Sequence, residues 1–142
     1  MRRGLVRGSK LMEVLGVQFY VLEDSTVAAD FTVSEAQQGP PGYAHGGALA
    51  SLLDEAMGAA SWLSGNRALS VHLGFDYKRP VPVGAAIHIT GQVVGRDGRK
   101  VFTSGSILLA DGSLAVSADG IFVDAPQLLG ITSGFSLDTD ML

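Results

Sequence analysis

The stretch that decides the fold is Gly42–Gly58, with the sequence GYAHGGALASLLDEAMG. Apolar residues recur in and just after it at helical spacing, and they are Leu49, Leu52, Leu53, Ala56, Met57 and Ala60. This stripe predicts an amphipathic helix that packs on one face of a sheet. The flank beside it has only small residues around one carboxylate, Asp54. Such a flank leaves room for a ligand or a second subunit, so it predicts a site.

The segments on either side of this helix set its limits. Residues 34–43 contain two prolines and two glycines, which predicts a loop without regular structure. The helix is expected to begin at His45-Gly46-Gly47 and to end near residues 64–66, with Gly65 as the stop.

Strands are predicted on both sides of the helix. Residues 69–77 alternate between apolar and polar side chains, and Asp97-Gly98 and Asp111-Gly112 are turn signals. The predicted strands are 17–23, 26–33, 69–77, 85–94, 100–110 and 113–123. The order of the predicted strands and helix along the chain indicates an α+β domain in which two strands precede one helix and a four-strand meander follows it.

The two ends of the chain have weaker patterns. Residues 1–16 form a basic segment that we expect to be partly disordered, with a short helix over 10–16. Residues 17–123 make the folded domain, and residues 124–142 make a tail that is poorly ordered or packed on a partner.

Composition excludes several classes of function. The 142 residues are 46% hydrophobic and 17% charged with a formal charge of −4, so a folded domain is expected and a basic nucleic-acid face is not. Cysteine is absent, which excludes disulfides and thiolate chemistry. No leader pattern or long apolar run is present, so we predict a cytoplasmic protein without a membrane span. His72 and His88 lack metal-ligand spacing, and no metal is expected.

Three stretches give the chain a family resemblance. They are His45–Gly47 with Asp54 nine residues after the histidine, Asp76–Pro80 (DYKRP) and Gly98–Phe102 (GRKVF). Over about residues 15–123 the sequence resembles the hotdog-fold acyl-CoA thioesterases of the PaaI-type, four-hydroxybenzoyl-CoA-thioesterase-like superfamily. The resemblance implies a hotdog fold, in which one long central helix is wrapped by a five- to six-stranded antiparallel sheet. It also implies hydrolysis of acyl-CoA at sites built in a homodimer, commonly part of a tetramer, with no cofactor apart from the CoA of the substrate.

The resemblance also assigns roles to residues. Asp54 corresponds to the catalytic carboxylate, Gly46 to the backbone donor that polarises the thioester carbonyl, Ser70 to a water-positioning hydroxyl and His45 to the motif histidine that lines the site. Family members often have an asparagine six residues before this histidine, and Gly39 stands there instead. Either a neighbouring glutamine, Gln37 or Gln38, substitutes, or backbone donors act alone.

The chemistry suits these residue types. The first helical N–H groups have no partner within the helix, and Gly46 and Gly47 let a carbonyl approach them. Asp54 can activate water or attack directly. The rise from Gly46 to Asp54 is about 12 Å, so we predict that each site combines Gly46 of one subunit with Asp54 of the other. Cations that can contact CoA phosphates, or be ordinary solvated strand ends, are Lys78, Arg79, Arg99 and Lys100.

Other interpretations are a hotdog module that binds acyl-CoA without hydrolysis, a hotdog dehydratase or hydratase, and a structural protein. We predict that Glu55 faces solvent or an ion-pair partner, because it points about 100° away from Asp54 around the helix. Trp62 and Met57 are expected in the core or an interface rather than an acyl pocket, although Met57 can also line one.

Overall fold

The computed structural model describes residues 1–125 and 135–139. Two α-helices occur in this part of the chain, α1 (Lys10–Leu15) and α2 (Gly46–Leu63). The strands are β1 (Arg2–Arg7), β2 (Tyr20–Leu22), β3 (Val27–Thr32), β4 (Ala68–Tyr77), β5 (Ala86–Asp97), β6 (Lys100–Leu109), β7 (Leu114–Asp124) and β8 (Ser136–Asp138). They form one antiparallel sheet in the order β4-β7-β6-β5-β3-β2-β1-β8.

Helix α2 forms where the sequence predicts it and buries the predicted stripe. The six stripe residues are each at most 4% exposed. The chain turns after the helix at Gly65, whose φ of +100° is a conformation that favours glycine. The helix backbone lies directly on β5, because a Cβ on Gly91 would stand 2.5 Å from the Ala56 carbonyl carbon. This contact fixes the height of α2 above the sheet.

The sheet is larger than expected at its β1 side. Residues 1–10 were expected to be loose, and this expectation is wrong for β1, which pairs with both β2 and β8. Its Val6 is 1% exposed, so a long-range contact orders a segment that has no strand pattern of its own. The short helix over 10–16 is confirmed as α1, with Gly16 at its C-terminal cap.

The tail was expected to be poorly ordered or packed on a partner, but Ser136–Asp138 forms β8 and pairs with β1 of the same chain. The rest of that prediction, for residues 126–134 and 140–142, lies outside the described residues. The domain limits at Val17 and Val123 stay predictions.

The connection after α2 also differs from the predicted meander. Strands β5, β6 and β7 follow one another as neighbours, but β4 pairs with β7 and lies at the edge of the sheet.

In the loop before α2, residues 35–37 form one 3₁₀ turn where no regular structure was predicted. Ser34 caps this turn by accepting from the Ala36 N–H, while Gln37 Oε1 accepts from the Ser34 N–H at 2.8 Å.

Candidate active site

His45 and the two glycines after it build the N-terminus of α2. His45 is the N-cap, and its Nδ1 accepts a hydrogen bond from the Gly47 N–H at 2.8 Å. The Gly47 N–H is therefore already engaged. A Cβ on Gly47 would stand 3.0 Å from the same Nδ1, so glycine at this position makes room for the cap. Gly46 is the first helical residue, and no acceptor for its N–H occurs among the described residues.

A pocket of about 410 Å³ lies in front of this N-terminus, and we call it the Gly46 pocket. Its lining residues are Pro40, Tyr43, Ala44, Gly46, Leu49, Tyr77, Lys78, Arg79, Pro80 and Val81. The Tyr77 hydroxyl donates to the Gly46 carbonyl at 2.7 Å and ties the end of β4 to the start of α2. Burial raises the pKa of Tyr77, which favours its neutral donating form.

Asp54 lies in a second pocket of about 300 Å³, which we call the Asp54 pocket. Its polar lining residues are Ser9, Asp54, Glu55 and Ser70, and the others are Gly8, Gly58, Trp62, Ala68, Leu69, Phe122 and Phe135. Burial raises the pKa of the Asp54 carboxyl, so this group is more basic than an ordinary aspartate. Two of the predicted catalytic residues, Asp54 and Ser70, thus line the same pocket. The other two, Gly46 and His45, lie at the first turn of α2.

Glu55 is the residue of this pocket whose environment was predicted wrongly from the sequence. It was expected to face solvent or an ion-pair partner, but its Oε2 is buried and has no hydrogen-bond partner within the described chain. The segment between β1 and α1 places Ser9 against it. Burial raises the pKa of Glu55, the Ser9 hydroxyl lowers it, and the neighbouring Asp54 charge raises it further. Only the long-range placement of the N-terminal segment could have indicated this.

Trp62 is half-buried and lines the Asp54 pocket, so it lies outside the core, and its expected place in an interface stays a prediction. Met57 is fully buried in the core, as predicted.

The four cations predicted to meet CoA phosphates divide into two pairs. Lys78 and Arg79 line the Gly46 pocket. Arg99 and Lys100 lie outside both pockets at the β5–β6 hairpin, where Arg99 Nε donates to the Asp124 carbonyl at 3.0 Å.

The loop around Gly39 shows how the chain departs from the expected asparagine. A Cβ at Gly39 would stand 2.8 Å from His45 Cα, so a side chain there requires the backbone to move. The amide oxygens of both candidate replacements are occupied locally, because Gln37 Oε1 accepts from Ser34 and Gln38 Oε1 accepts from the Gly42 N–H at 3.0 Å. A carbonyl-polarising group has to be a donor, and these contacts occupy only the amide oxygens, so both alternatives for the Gly39 position stay predictions.

Among the described residues, neither His72 nor His88 belongs to a cluster that could hold a metal ion. His88 Nδ1 lies 2.8 Å from Asp30 Oδ1, and His72 Nε2 lies 3.8 Å from Asp119 Oδ2. Within residues 1–125 and 135–139, no group of three histidine or acidic side chains has the arrangement of a metal site. In the same described part, neither helix is long and apolar enough to cross a membrane.

Comparison with known proteins gives this architecture its class. The thioesterase superfamily model matches residues 41–116, which include α2 and β4. A solved thioesterase superfamily protein is 40% identical, with a TM-score of 0.73, covering 76% of this chain and 53% of its own. A mutant of PaaI, a phenylacetic acid degradation protein from Thermus thermophilus, is 26% identical, with a TM-score of 0.75 and coverage of 82% and 100%.

Among curated proteins, acyl-coenzyme A thioesterase THEM4 of Xenopus laevis is 34% identical over 106 residues, which are 74% of this chain and 48% of that protein. The chain spans about half the length of the curated relatives it matches. It has the hotdog fold and belongs to the thioesterase superfamily. The predicted fold class and family are therefore confirmed, with eight strands in place of five to six.

Proposed function

We propose that the chain hydrolyses acyl-CoA thioesters at sites shared between two copies of itself. The observation that supports this most directly is the division of the candidate residues between two pockets of one chain. Asp54 and Ser70 line one pocket, and Gly46 lines the other. Eight residues of helix separate Gly46 from Asp54, a rise of about 12 Å. A single carbonyl carbon cannot contact both within one chain.

Strand β4 offers a way to join the two pockets. It lies at the sheet edge and is ten residues long, and its Leu69, Val71 and Tyr77 are 44%, 62% and 51% exposed. Among the described strands none pairs with the outer side of β4, and a long, apolar, unpaired edge is a template for pairing with another chain. One end of β4 contributes Leu69 and Ser70 to the Asp54 pocket, while the other contributes Tyr77 to the Gly46 pocket.

A two-fold axis near the middle of β4 would therefore complete the site. Antiparallel pairing of β4 with its own copy places the Ser70 end of one strand beside the Tyr77 end of the other. The Asp54 pocket of each copy then adjoins the Gly46 pocket of the other. This homodimer is the minimum assembly in the proposal, and a tetramer of two such dimers is compatible with it.

In this arrangement each residue has a separate task. The Gly46 N–H and the positive end of the α2 dipole stabilise the oxyanion that develops on the thioester oxygen. Asp54 either removes a proton from water or attacks the carbonyl carbon, and its raised pKa strengthens it as a base. Ser70 positions the water, His45 holds the helix N-terminus, and Lys78 and Arg79 attract the phosphates of CoA. The reaction requires no cofactor, and we place it in the cytoplasm.

The test is release of free thiol from a panel of short, medium, long and aryl acyl-CoAs. Asp54→Asn is expected to lower kcat by about 10²–10⁴-fold with folding and oligomer size unchanged. Asp97→Asn, on the exposed β5–β6 hairpin, is the matched control and should keep full activity. Saturable acyl-CoA binding without thiol release would contradict hydrolysis and support a binding module. Addition of water to an enoyl-CoA without thiol release would support a hydratase.

A further inference from the structure

The chain that leads into α2 is held in place by two backbone hydrogen bonds. The N–H of the cap residue His45 donates to the Gln37 carbonyl at 2.7 Å. The N–H of Ala44 donates to the Val81 carbonyl at 2.8 Å. Both contacts hold the chain up to the cap, one residue before the Gly46 N–H that is proposed to bind the oxyanion.

Tyr77 contacts Gly46 itself, from the end of β4. Its hydroxyl donates to the Gly46 carbonyl at 2.7 Å. A Cβ on Gly46 would stand 3.5 Å from the ring carbon that carries this hydroxyl, so the ring also lies against the glycine. The backbone of Tyr77 pairs with Val116 of β7, and its ring lies beside that of Phe75, with centroids 6.4 Å apart. A residue fixed by the sheet therefore holds the first residue of the helix.

Gly46 depends on such a contact because its own conformation is weakly restrained. Glycine has more backbone freedom than any other residue, and Gly47 follows it directly. The Gly47 N–H is held by the His45 cap, whereas the Gly46 N–H has no acceptor among the described residues. An oxyanion donor is most effective when its direction is fixed before the reaction, since no reorganisation is then needed. The carbonyl and the N–H belong to the same residue, so a contact to the Gly46 carbonyl also restrains the Gly46 N–H.

We propose that Tyr77 is a positioning residue and that its hydroxyl, by holding the Gly46 carbonyl, directs the Gly46 N–H towards the thioester oxygen. This inference rests on the proposed hydrolysis. It assigns Tyr77 no contact with the substrate, so loss of the hydroxyl should lower kcat and leave KM unchanged. It also gives β4 a second role, because the strand proposed to pair with the partner carries the residue that aligns the donor within its own chain.

The first experiment measures kcat and KM for thiol release from the acyl-CoA that the wild type hydrolyses fastest. Tyr77→Phe keeps the ring and removes the hydroxyl, and it should lower kcat by about 3–10-fold with KM unchanged, the effect expected of one hydrogen bond. Tyr20→Phe is the matched control and should keep full activity, because it removes a hydroxyl that donates to Asp30 at 3.2 Å elsewhere in the same sheet. An unchanged kcat in Tyr77→Phe, or a raised KM with kcat unchanged, would overturn the inference.

A double variant tests whether Tyr77 acts through the Gly46 N–H. Gly46→Pro removes this N–H and keeps the carbonyl that Tyr77 holds, and proline is tolerated at the first helical position. Adding Tyr77→Phe to Gly46→Pro should lower kcat no further, because the group that Tyr77 positions is already absent. A second loss as large as that of Tyr77→Phe alone would show that Tyr77 acts by another route and would overturn the inference.

The third experiment needs no substrate. It measures the order parameter of the Gly46 N–H by ¹⁵N relaxation, which is about 0.85 for rigid backbone and should fall in Tyr77→Phe but not in Tyr20→Phe. A lower order parameter, combined with a wild type that releases no thiol, would refute the proposed function and leave the positioning of the N–H by Tyr77 standing. Thiol release by the wild type, combined with an order parameter that Tyr77→Phe does not change, would do the reverse.

Discussion

Asp54 and Glu55 are neighbours on α2, and burial raises the pKa of both carboxyls. For Asp54 this has a direct consequence for the proposed reaction, because only the ionised carboxylate is a base or a nucleophile. Activity should therefore be present above the pKa of Asp54 and lost as the pH falls through it. We expect the acid limb of kcat/KM for thiol release to have its midpoint above the ordinary aspartate value of 3.8. A midpoint at or below that value would contradict the role of Asp54, provided that circular dichroism shows the fold intact at each pH.

Glu55 should affect stability in the opposite sense to a paired carboxylate. Its folded pKa is raised, so the folded state binds more protons than the unfolded state in the window just above the ordinary glutamate value of 4.5, and stability falls as the pH rises through that window. Glu55→Gln removes the charge but keeps the shape, and it should raise the free energy of unfolding at neutral pH because the amide has no charge to desolvate. The gain should disappear in acid.

Urea denaturation at acidic and neutral pH measures this difference. Glu23→Gln, an exposed carboxylate, is the control and should change neither value. Loss of stability in Glu55→Gln at neutral pH would show that the ionised carboxylate is favourably paired.

The contrast between Asp54 and Glu55 also shows what local sequence can predict. The HGG-to-Asp spacing singled out Asp54, which lines a pocket, whereas helix geometry alone predicted an exposed Glu55, because the covering segment with Ser9 lies 46 residues earlier in the chain.

At the scale of elements, the N-terminus of α2 allows one donor to be removed without breaking the helix. Gly46 occupies the first helical position, where proline is tolerated, and His45 before it has φ −67° and ψ 134°, a conformation that suits a residue preceding proline. Gly46→Pro should therefore keep the fold and lower kcat by about 10²–10³-fold, the usual effect of losing one oxyanion donor.

Gly46→Ala is the matched control because it keeps the N–H. Its Cβ would stand 3.5 Å from the Tyr77 ring, an ordinary contact that keeps the fold, but it narrows the approach of the carbonyl, so activity should fall by much less than in Gly46→Pro. Equal activity of the proline and alanine variants would exclude the Gly46 N–H as a donor. Circular dichroism and size-exclusion chromatography establish that both variants fold alike.

The elements that the sequence predicted are those with strong internal patterns. The stripe from Leu49 to Ala60 located α2, and the alternation in residues 69–77 located β4. β1 and β8 have no such pattern and are ordered by long-range pairing, since β1 lies between β2 and β8 and β8 pairs with β1. The edge position of β4 was also missed, since strand propensity does not determine which neighbour a strand selects.

At the scale of the whole molecule, β4 determines whether the proposed dimer forms. Val71 is 62% exposed on β4, and Val94 is 58% exposed on β5, so the two provide matched sites for the same change. Val71→Lys places a charge on the proposed interface and should shift the protein towards monomer with loss of activity. Val94→Lys should remain a fully active dimer. Analytical ultracentrifugation paired with the thiol assay tests both, and an active Val71→Lys monomer would refute the β4 interface.

The shared site makes a sharper prediction for mixed dimers. Asp54→Asn keeps Gly46, and Gly46→Pro keeps Asp54, so a heterodimer of the two has one site with both functional groups and one site with neither. Random reassortment makes about half of the dimers heterodimers, and the mixture should recover about a quarter of wild-type activity although each variant alone is nearly inactive.

Reassortment requires the two variants to be mixed under mildly dissociating conditions or expressed together with different affinity tags. The heterodimer purified on both tags should then show about half of the wild-type activity, because one of its two sites is intact. A site contained within one chain predicts no recovery, since neither polypeptide then has a complete set of groups. A double variant carrying both changes, paired with wild type, separates the models further. The heterodimer of this double variant with wild type keeps about half of its sites intact if each site lies within one chain. It keeps none intact if each site is shared across β4.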